Sequence, residues 1–325
     1  GQVAAPPPAS AFGRIPAIQQ AAISPSGQTV AMLGGSVTDR SLSFATIDKP
    51  GLPTLNLGSV NAVSIRWAGD EYVLARVAVW EKIGAKNTYR FERNISVTPE
   101  AKPMSRLLEQ DTLSQQLISQ PVLGVTPSPN ARAFVVGLQP ASGPAASNDT
   151  RLKRKGEEDY RILALWNVDP ATGKGVLAER GTYDTQTWGL DLTGESRLRV
   201  DVDELTHKFT LMGRPKGAKQ WTVVQADLPE DEGWESYGGY SDPDDAVYLT
   251  QAGAGGYQLV RRSLKDGTVT PIGQPAPGGL LLIWDERRGA IVGLRSASLE
   301  SGVQWLDPTI GGVHAALSKV FKGQK

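Results

Sequence analysis

The feature that most restricts this chain is a recurring unit: a turn built from Gly, Asp, Asn or Pro that leads into a short β-rich run. Ala21-Ala-Ile-Ser-Pro-Ser-Gly27 precedes Val30-Ala-Met-Leu33, and Val63-Ser-Ile-Arg-Trp-Ala-Gly-Asp70 precedes Tyr72-Val-Leu-Ala-Arg-Val77. Val122-Leu-Gly-Val-Thr-Pro-Ser-Pro-Asn130 precedes Phe134-Val-Val136, and Trp188-Gly-Leu-Asp-Leu-Thr-Gly194 precedes Leu198-Arg-Val-Asp-Val202. Tyr240-Ser-Asp-Pro-Asp-Asp245 precedes Val247-Tyr-Leu249, and Leu281-Leu-Ile-Trp-Asp-Glu286 precedes Ile291-Val292. These are the residues that tight hairpins require. A second hairpin recurs in several units. Asn167-Val-Asp-Pro-Ala-Thr-Gly173 separates the runs 162–166 and 175–177, Ser263-Leu-Lys-Asp-Gly267 separates 258–260 and 269–272, and Phe44-Ala-Thr-Ile-Asp-Lys-Pro-Gly51 has the same layout. Each unit therefore holds about four short strands, the content of one propeller blade.

With Ala22, Val63, Leu123, Trp188, Gly239 and Leu281 as marks, the units recur at spacings of 41 to 65 residues. Blades repeat every ~40–50 residues, and insertions fall in loops. The longest interval, Leu123 to Trp188, contains polar inserts, Ala141-Ser-Gly-Pro-Ala-Ala-Ser-Asn148 and the charged stretch 151–159. The expected fold is all-β, a propeller of four-stranded blades with about five to six present. A pair of β-sandwiches is the alternative. Parallel α/β folds are disfavoured, because no helix of 10–15 residues alternates with the strands.

The ends differ from this pattern. Residues 1–11, rich in Ala and Pro, cannot bury apolar area and are expected to form a disordered leader to a propeller domain over 12–325. Such a leader often follows a removed export signal, which points to a periplasmic or secreted protein, with the cytoplasm as the other location. No run of 18 apolar residues is present. Near the other end, Asp307-Pro308 is an N-cap and N1 pair, and Ile310, Val313, Leu317, Val320 and Phe321 fall at helical spacing. An amphipathic helix over 308–322 is expected there, with an apolar stripe that needs something to dock on.

Composition narrows the function. The 34 Lys+Arg balance 34 Asp+Glu, so no electrostatic basis exists for broad nucleic-acid or anionic-membrane binding. With no cysteine, disulfides, thiolate metal sites and thiol nucleophiles are excluded; two histidines leave little for acid–base chemistry. Neither a cofactor nor a metal is expected.

The motif nearest to a catalytic signature is Gly233-Trp-Glu-Ser-Tyr-Gly-Gly239. A nucleophile elbow reads Gly-x-Ser-x-Gly between a strand and a helix. Here Gly233 lies one residue too far from Ser236, and a turn and a strand follow, so the segment reads as a loop running into a strand. His207 sits in Leu205-Thr-His-Lys-Phe-Thr-Leu211, which reads as an alternating strand, and His314 lies at the margin of the terminal helix. Asp201, Asp203 and Glu204, or Asp242, Asp244 and Asp245, could suggest a hard-cation site, but neither has the full ligand spacing of a calcium loop. Asp201 and Asp203 fall opposite Val200 and Val202, on what reads as a solvated face. Thr172-Gly-Lys-Gly175 lacks the remainder of a phosphate loop and reads as a turn. The run 151–155 and Glu157-Glu158-Asp159 form a mixed-charge, solvated loop.

Taken in order, these segments resemble the amino-terminal propeller of bacterial prolyl oligopeptidase family serine peptidases, of the acylaminoacyl-peptidase and dipeptidyl-peptidase type. Phe12-Gly-Arg-Ile-Pro-Ala-Ile-Gln-Gln-Ala-Ala-Ile-Ser-Pro-Ser-Gly27 is similar to that group's lead into its first blade turn, with Ser26 in place of Asp. Ile65-Arg-Trp-Ala-Gly-Asp70 resembles its second blade, and the segment 161–173 its hairpin between strands. Trp284-Asp-Glu-Arg-Arg-Gly-Ala-Ile-Val-Gly-Leu294 and the helix 305–321 resemble the segment before its last blades. The resemblance implies a seven-bladed propeller capping an α/β-hydrolase domain with a Ser-Asp-His triad. No triad position carries over, since no segment matches the elbow. The implied role is non-catalytic: gating peptide access and shaping the substrate cleft, with a hydrolase domain or partner chain supplying catalysis. About five blades and the first hairpin of another are present, so such a ring would be incomplete. Some relatives hold a substrate's amino terminus with a Glu pair, and Glu157 and Glu158 are the adjacent pair here. A stand-alone propeller binding a protein or small ligand is the alternative, and a propeller lyase or sugar hydrolase a third reading.

Overall fold

The computed structural model describes residues 17–36, 38–83, 87–141, 161–253, 255–296 and 302–321. It is built almost wholly from antiparallel meanders. Strands β1–β4 (Ile18–Ile23, Thr29–Gly35, Arg40–Thr46, Thr54–Gly58) form the first sheet. Strands β5–β8 (Asn61–Ala68, Tyr72–Ile83, Asn87–Val97, Pro103–Arg106) form the second. Strands β9–β12 (Val122–Val125, Ala133–Pro140, Arg161–Val168, Gly175–Arg180) form the third, and β13–β16 (Thr185–Leu190, Ser196–Val202, Lys208–Gly213, Thr222–Pro229) the fourth. The fifth is β17–β20 (Tyr237–Ser241, Ala246–Gly253, Gly256–Ser263, Val269–Ala276). The sixth is three-stranded, β21–β23 (Leu280–Asp285, Ala290–Ser296, Val303–Trp305). Two α-helices, α1 (Glu230–Ser236) and α2 (Pro308–Val320) after the last strand, and a 3-10 turn at Ser114–Gln116 complete the described residues. The fold class is thus the β-propeller, six successive blades of which the sixth has one strand beyond the expected hairpin. Ala22, Val63, Leu123, Trp188, Gly239 and Leu281 each lie in the first strand of a sheet.

The chain divides into two compact units, residues 1–139 with 164–178, and residues 140–163 with 179–325. In the first unit the core lies between consecutive sheets. Leu33, Leu42 and Phe44 pack with Ile65, Trp67 and Val73, and Leu74 and Leu107 pack with Ala133 and Val135. In the second unit Leu198, Phe209 and Leu211 pack with Tyr240 and Val247, while Tyr248 and Leu259 pack with Ile291 and Leu294. The period-two alternation of each strand delivers this: in β2, Ala31 and Leu33 are buried while Val30 and Met32, which alternate with them, are half-buried. The Trp67 indole reaches back to donate to Ala22 O at 2.9 Å and meets Phe44 edge-on.

The first hairpin turns of neighbouring sheets are stitched together. Ser26 N donates to Asp70 Oδ1 at 2.9 Å, and Asp70 N donates to Ser128 Oγ at 2.7 Å. In the second unit, Leu192 N donates to Asp242 Oδ2 at 2.5 Å, and Asp242 N donates to Gly289 O at 2.9 Å. Gly69 is required for this contact: its φ is +57°, and a Cβ there would lie 2.6 Å from Ser128 Oγ and 2.8 Å from the Ala131 Cβ. In a meander, the turns joining strands one to two and three to four share one end, and the turn joining two to three lies at the other. The stitched end is the former. The two-to-three end varies: β6 and β7 pair over eleven positions, well past β5, and carry the exposed Trp80.

Among the described residues no helix is long and apolar enough to cross a membrane. Helix α2 starts where the Asp307-Pro308 pair predicts, with Asp307 accepting from Ile310 N. That bond and the Arg288 guanidinium hold the Asp307 carboxyl below its ordinary pKa. The apolar stripe does not dock as expected: Val313, Leu317, Val320 and Phe321 are all more than half exposed. Trp305 of the sixth blade lies under the helix, 3.2 Å (Cβ) from where a Gly311 side chain would begin and 5.4 Å from the His314 ring.

Candidate functional site

A recess with chemical character lies at the two-to-three end of the fourth blade. It is an open cleft of about 550 Å³ between the β14–β15 turn and helix α1. On one wall, Asp203 organises the turn. Its Oδ1 accepts from Leu205 N at 3.0 Å and Thr206 N at 2.8 Å, while its carbonyl accepts from His207 N. Closing this loop puts His207 at φ +51°, so β15 begins only at Lys208. The expected strand position of His207 is therefore corrected to a strained, exposed turn tip.

The opposite wall is α1, where a loop had been expected. Pro229 ends β16, and Glu230, Asp231 and Glu232 occupy the first helical turn, where carboxylates complement the exposed N–H groups. The helix lies directly on the core because Gly233 has no side chain: a Cβ there would sit 2.1 Å from Phe209 Cγ. Trp234 next to it stands edge-on to Phe209 (centroids 5.5 Å apart) and to Tyr237 (6.3 Å), and remains 38% exposed toward the cleft. The Tyr237 hydroxyl is pushed to a raised pKa by burial, so it stays neutral beneath the indole. Across the mouth, His207 Nδ1 lies 3.2 Å from Glu230 Oε2. Asp231 accepts from Glu232 N, and Lys208 Nζ donates to Asp227 O at 3.3 Å. Among the described residues, neither Glu230 nor Asp231 is paired with Arg or Lys.

Ser236, the nearest thing to a nucleophile, ends α1 and donates its Oγ to Gly233 O at 2.9 Å. It follows a helix and precedes a strand, the reverse of an elbow, and neither histidine is hydrogen-bonded to it. The two carboxylate groups flagged by sequence are engaged internally. Asp201 is not on a solvated face: Arg199 grips it at 2.7 Å and Thr185 donates at 2.8 Å. Asp203 is spent on its turn and Glu204 is exposed. Asp242 accepts from Lys216 Nζ at 2.7 Å, Asp244 from Arg261 at 2.6 Å, and Asp245 from the Tyr240 hydroxyl at 2.9 Å. No three His, Asp or Glu side chains of the described residues gather as metal ligands. Glu157 and Glu158 lie outside the described residues, as do the runs 142–148 and 151–159. The cleft itself escaped sequence reasoning, although Pro229 followed by three acidic residues was the legible mark of a helix start.

No protein-family model matches the chain, and no curated protein does. Solved structures do. The β-propeller domain of the Trilobed protease from Pyrococcus furiosus is 13% identical, with 90% of this chain and 86% of that one covered and a TM-score of 0.36. Tricorn protease is 15% identical, with 86% of this chain but 28% of that one covered and a TM-score of 0.43. Synechocystis apocarotenoid oxygenase is 12% identical, with 78% and 61% covered and a TM-score of 0.40. Likenesses of this strength carry no argument about activity.

Proposed function

We propose that this chain is the non-catalytic propeller of a prolyl oligopeptidase-like serine peptidase. In this reading it gates peptide access and shapes the substrate cleft, while an α/β-hydrolase domain or partner chain supplies the triad. The observation that carries the reading is the run of successive antiparallel blades in which the quoted motifs fall in order, Ile65 to Asp70 at the first turn of the second blade and Trp284 to Leu294 in the sixth. The geometry of Ser236 agrees with a catalytic centre located elsewhere. A periplasmic or secreted location belongs to the same reading, from the Ala/Pro-rich leader.

Peptide hydrolysis by this chain alone should be undetectable. Turnover that survives Ser236→Ala would overturn the reading, and turnover lost in that variant would restore the elbow. Extending the chain along its reading frame into a Gly-x-Ser-x-Gly segment should confer peptidase activity; a stop codon after Lys325 favours the second reading. That reading is a stand-alone propeller binding a protein or small ligand, and the Trp234 cleft favours it.

A further inference from the structure

We propose that the cleft beside Trp234 is a recognition site for an arginine side chain of a peptide, with the guanidinium laid on the indole face and its charge met by Glu230 and Asp231. The fourth blade and the adjoining strand β12 show the arrangement already made. Arg214 lies over the Trp221 ring, 4.3 Å from its centroid, with Glu179 2.6 Å from the guanidinium. Arg199 lies 5.3 Å from the same ring, held by Asp201. Indole, guanidinium and carboxylate form one interlocking unit there. At Trp234 the chain contributes the indole and the carboxylates, and the partner contributes the guanidinium.

Three further observations narrow the ligand. Phe209 and Tyr237 hold the Trp234 ring edge-on, so little side-chain freedom is lost when its exposed face is covered. The carboxylates in the first turn of α1 disfavour an anion in the cleft. Lys208, the one lysine lining it, already has its ammonium on the Asp227 carbonyl. The volume of about 550 Å³ suits a side chain and its flanking peptide units. This inference takes only the partner's peptide nature from the proposed function; the cleft chemistry stands without it.

The test titrates the full chain with N-acetyl-arginine amide, using its neutral isostere N-acetyl-citrulline amide as control and methyl glucoside as a neutral sugar. Readouts are calorimetry and the indole N–H resonance of Trp234, assigned by its loss in Trp234→Phe. The arginine compound should saturate the Trp234 signal, and the citrulline compound should bind about tenfold more weakly or less. The double variant Glu230→Gln/Asp231→Asn removes both charges at nearly constant shape and should keep the fold while weakening arginine binding about tenfold. Trp234→Phe should retain most of the affinity. Equal binding of arginine and citrulline compounds, indifference to the double variant, or saturation by the glucoside would each overturn the proposal. If the chain extended along its frame shows no peptidase activity while arginine still binds, the proposed function fails and the site stands.

Discussion

Two glycines in helices make a matched pair. Gly233 in α1 and Gly312 in α2 face opposite surroundings: a Cβ at 233 would lie 2.1 Å, 2.5 Å and 2.6 Å from three Phe209 atoms, whereas a Cβ at 312 would meet nothing within 4 Å. Replacing glycine by alanine in a helix gains ~1 kcal/mol from reduced backbone freedom. At Gly312 that gain stands unopposed, so Gly312→Ala should slow amide exchange in α2 by up to about fivefold. At Gly233 the new methyl falls about 1.4 Å short of ordinary carbon contact of ~3.5 Å at its nearest atom. Phe209 cannot yield, because it is fully buried and paired with Val202 on one side and Leu228 on the other. The helix must lift instead, at an overpacking cost of ~1–3 kcal/mol plus part of the Trp234–Phe209 edge contact, worth ~0.5–1.5 kcal/mol. The net expectation for Gly233→Ala is a loss of about 1–3 kcal/mol, read as a lower urea midpoint with an unchanged slope. Its Trp234 signal should shift, and arginine binding should weaken with it. A Gly233→Ala protein as stable as the parent, with Trp234 unmoved, would refute the reasoning about how α1 sits on the fourth blade.

Other outcomes follow from buried charge. Arg93 is 2% exposed and donates to Glu92 O, Leu117 O, Gln115 O and Gln115 Oε1. Arg93→Met keeps the volume but strands buried acceptors, so a loss of ~3–5 kcal/mol is expected, with amide protection around Leu117 falling first in hydrogen exchange. Asp191→Ala leaves Arg197 buried without its 2.8 Å partner and should cost a similar ~3–5 kcal/mol by denaturant titration. Burial raises the Glu92 and Asp191 carboxyls, but Arg76 and Arg90 at the first, and Thr193 and Arg197 at the second, outweigh it and leave both below their ordinary pKa. A depressed pKa stabilises the fold above the unfolded-state value, near 4.5 and 3.8 here, and the benefit is lost as pH falls through the lower folded values. Stability should therefore decline on acidification below about pH 4.5, and Glu92→Gln should flatten that decline in a pH series of urea midpoints. A decline equally steep in the variant would remove Glu92 from the account.

Much of the fold was legible because propeller strands are short and turn chemistry punctuates them. The runs beginning at Val30, Tyr72, Phe134, Leu198, Val247 and Ile291 all lie in the second strand of a sheet, following first turns rich in Gly, Asp, Asn and Pro. What escaped was set by contact rather than by local preference. The segment 230–236 is helical because it can lie on Phe209, a contact made across the blade, and Gly233, a poor helix former, is there for space. His207 looked like a strand residue because its neighbours alternate, yet the two hydrogen bonds to the Asp203 carboxylate win and turn the chain there. Asp201 looked solvated by alternation alone; only the register placing Thr185 opposite it, and Arg199 alongside, shows it engaged. The cleft joins a turn to a helix some 23 residues later, the separation of His207 and Glu230, which no window of local pattern spans.

The stitched turns divide each blade into an end that resists change and an end that invites it. Lengthening the turn at Ser26, Asp70 or Ser128 would break a bond to a neighbouring blade as well as its own hairpin, so variation there is penalised twice. At the other end a longer connection costs only loop-closure entropy, ~0.6 kcal/mol for each doubling of length. The extended β6–β7 ribbon and the Trp234 cleft both lie at that permissive end. Within each unit, the two-to-three connections are therefore the place where added length is tolerated and new recognition can be built, and the stitched turns are not.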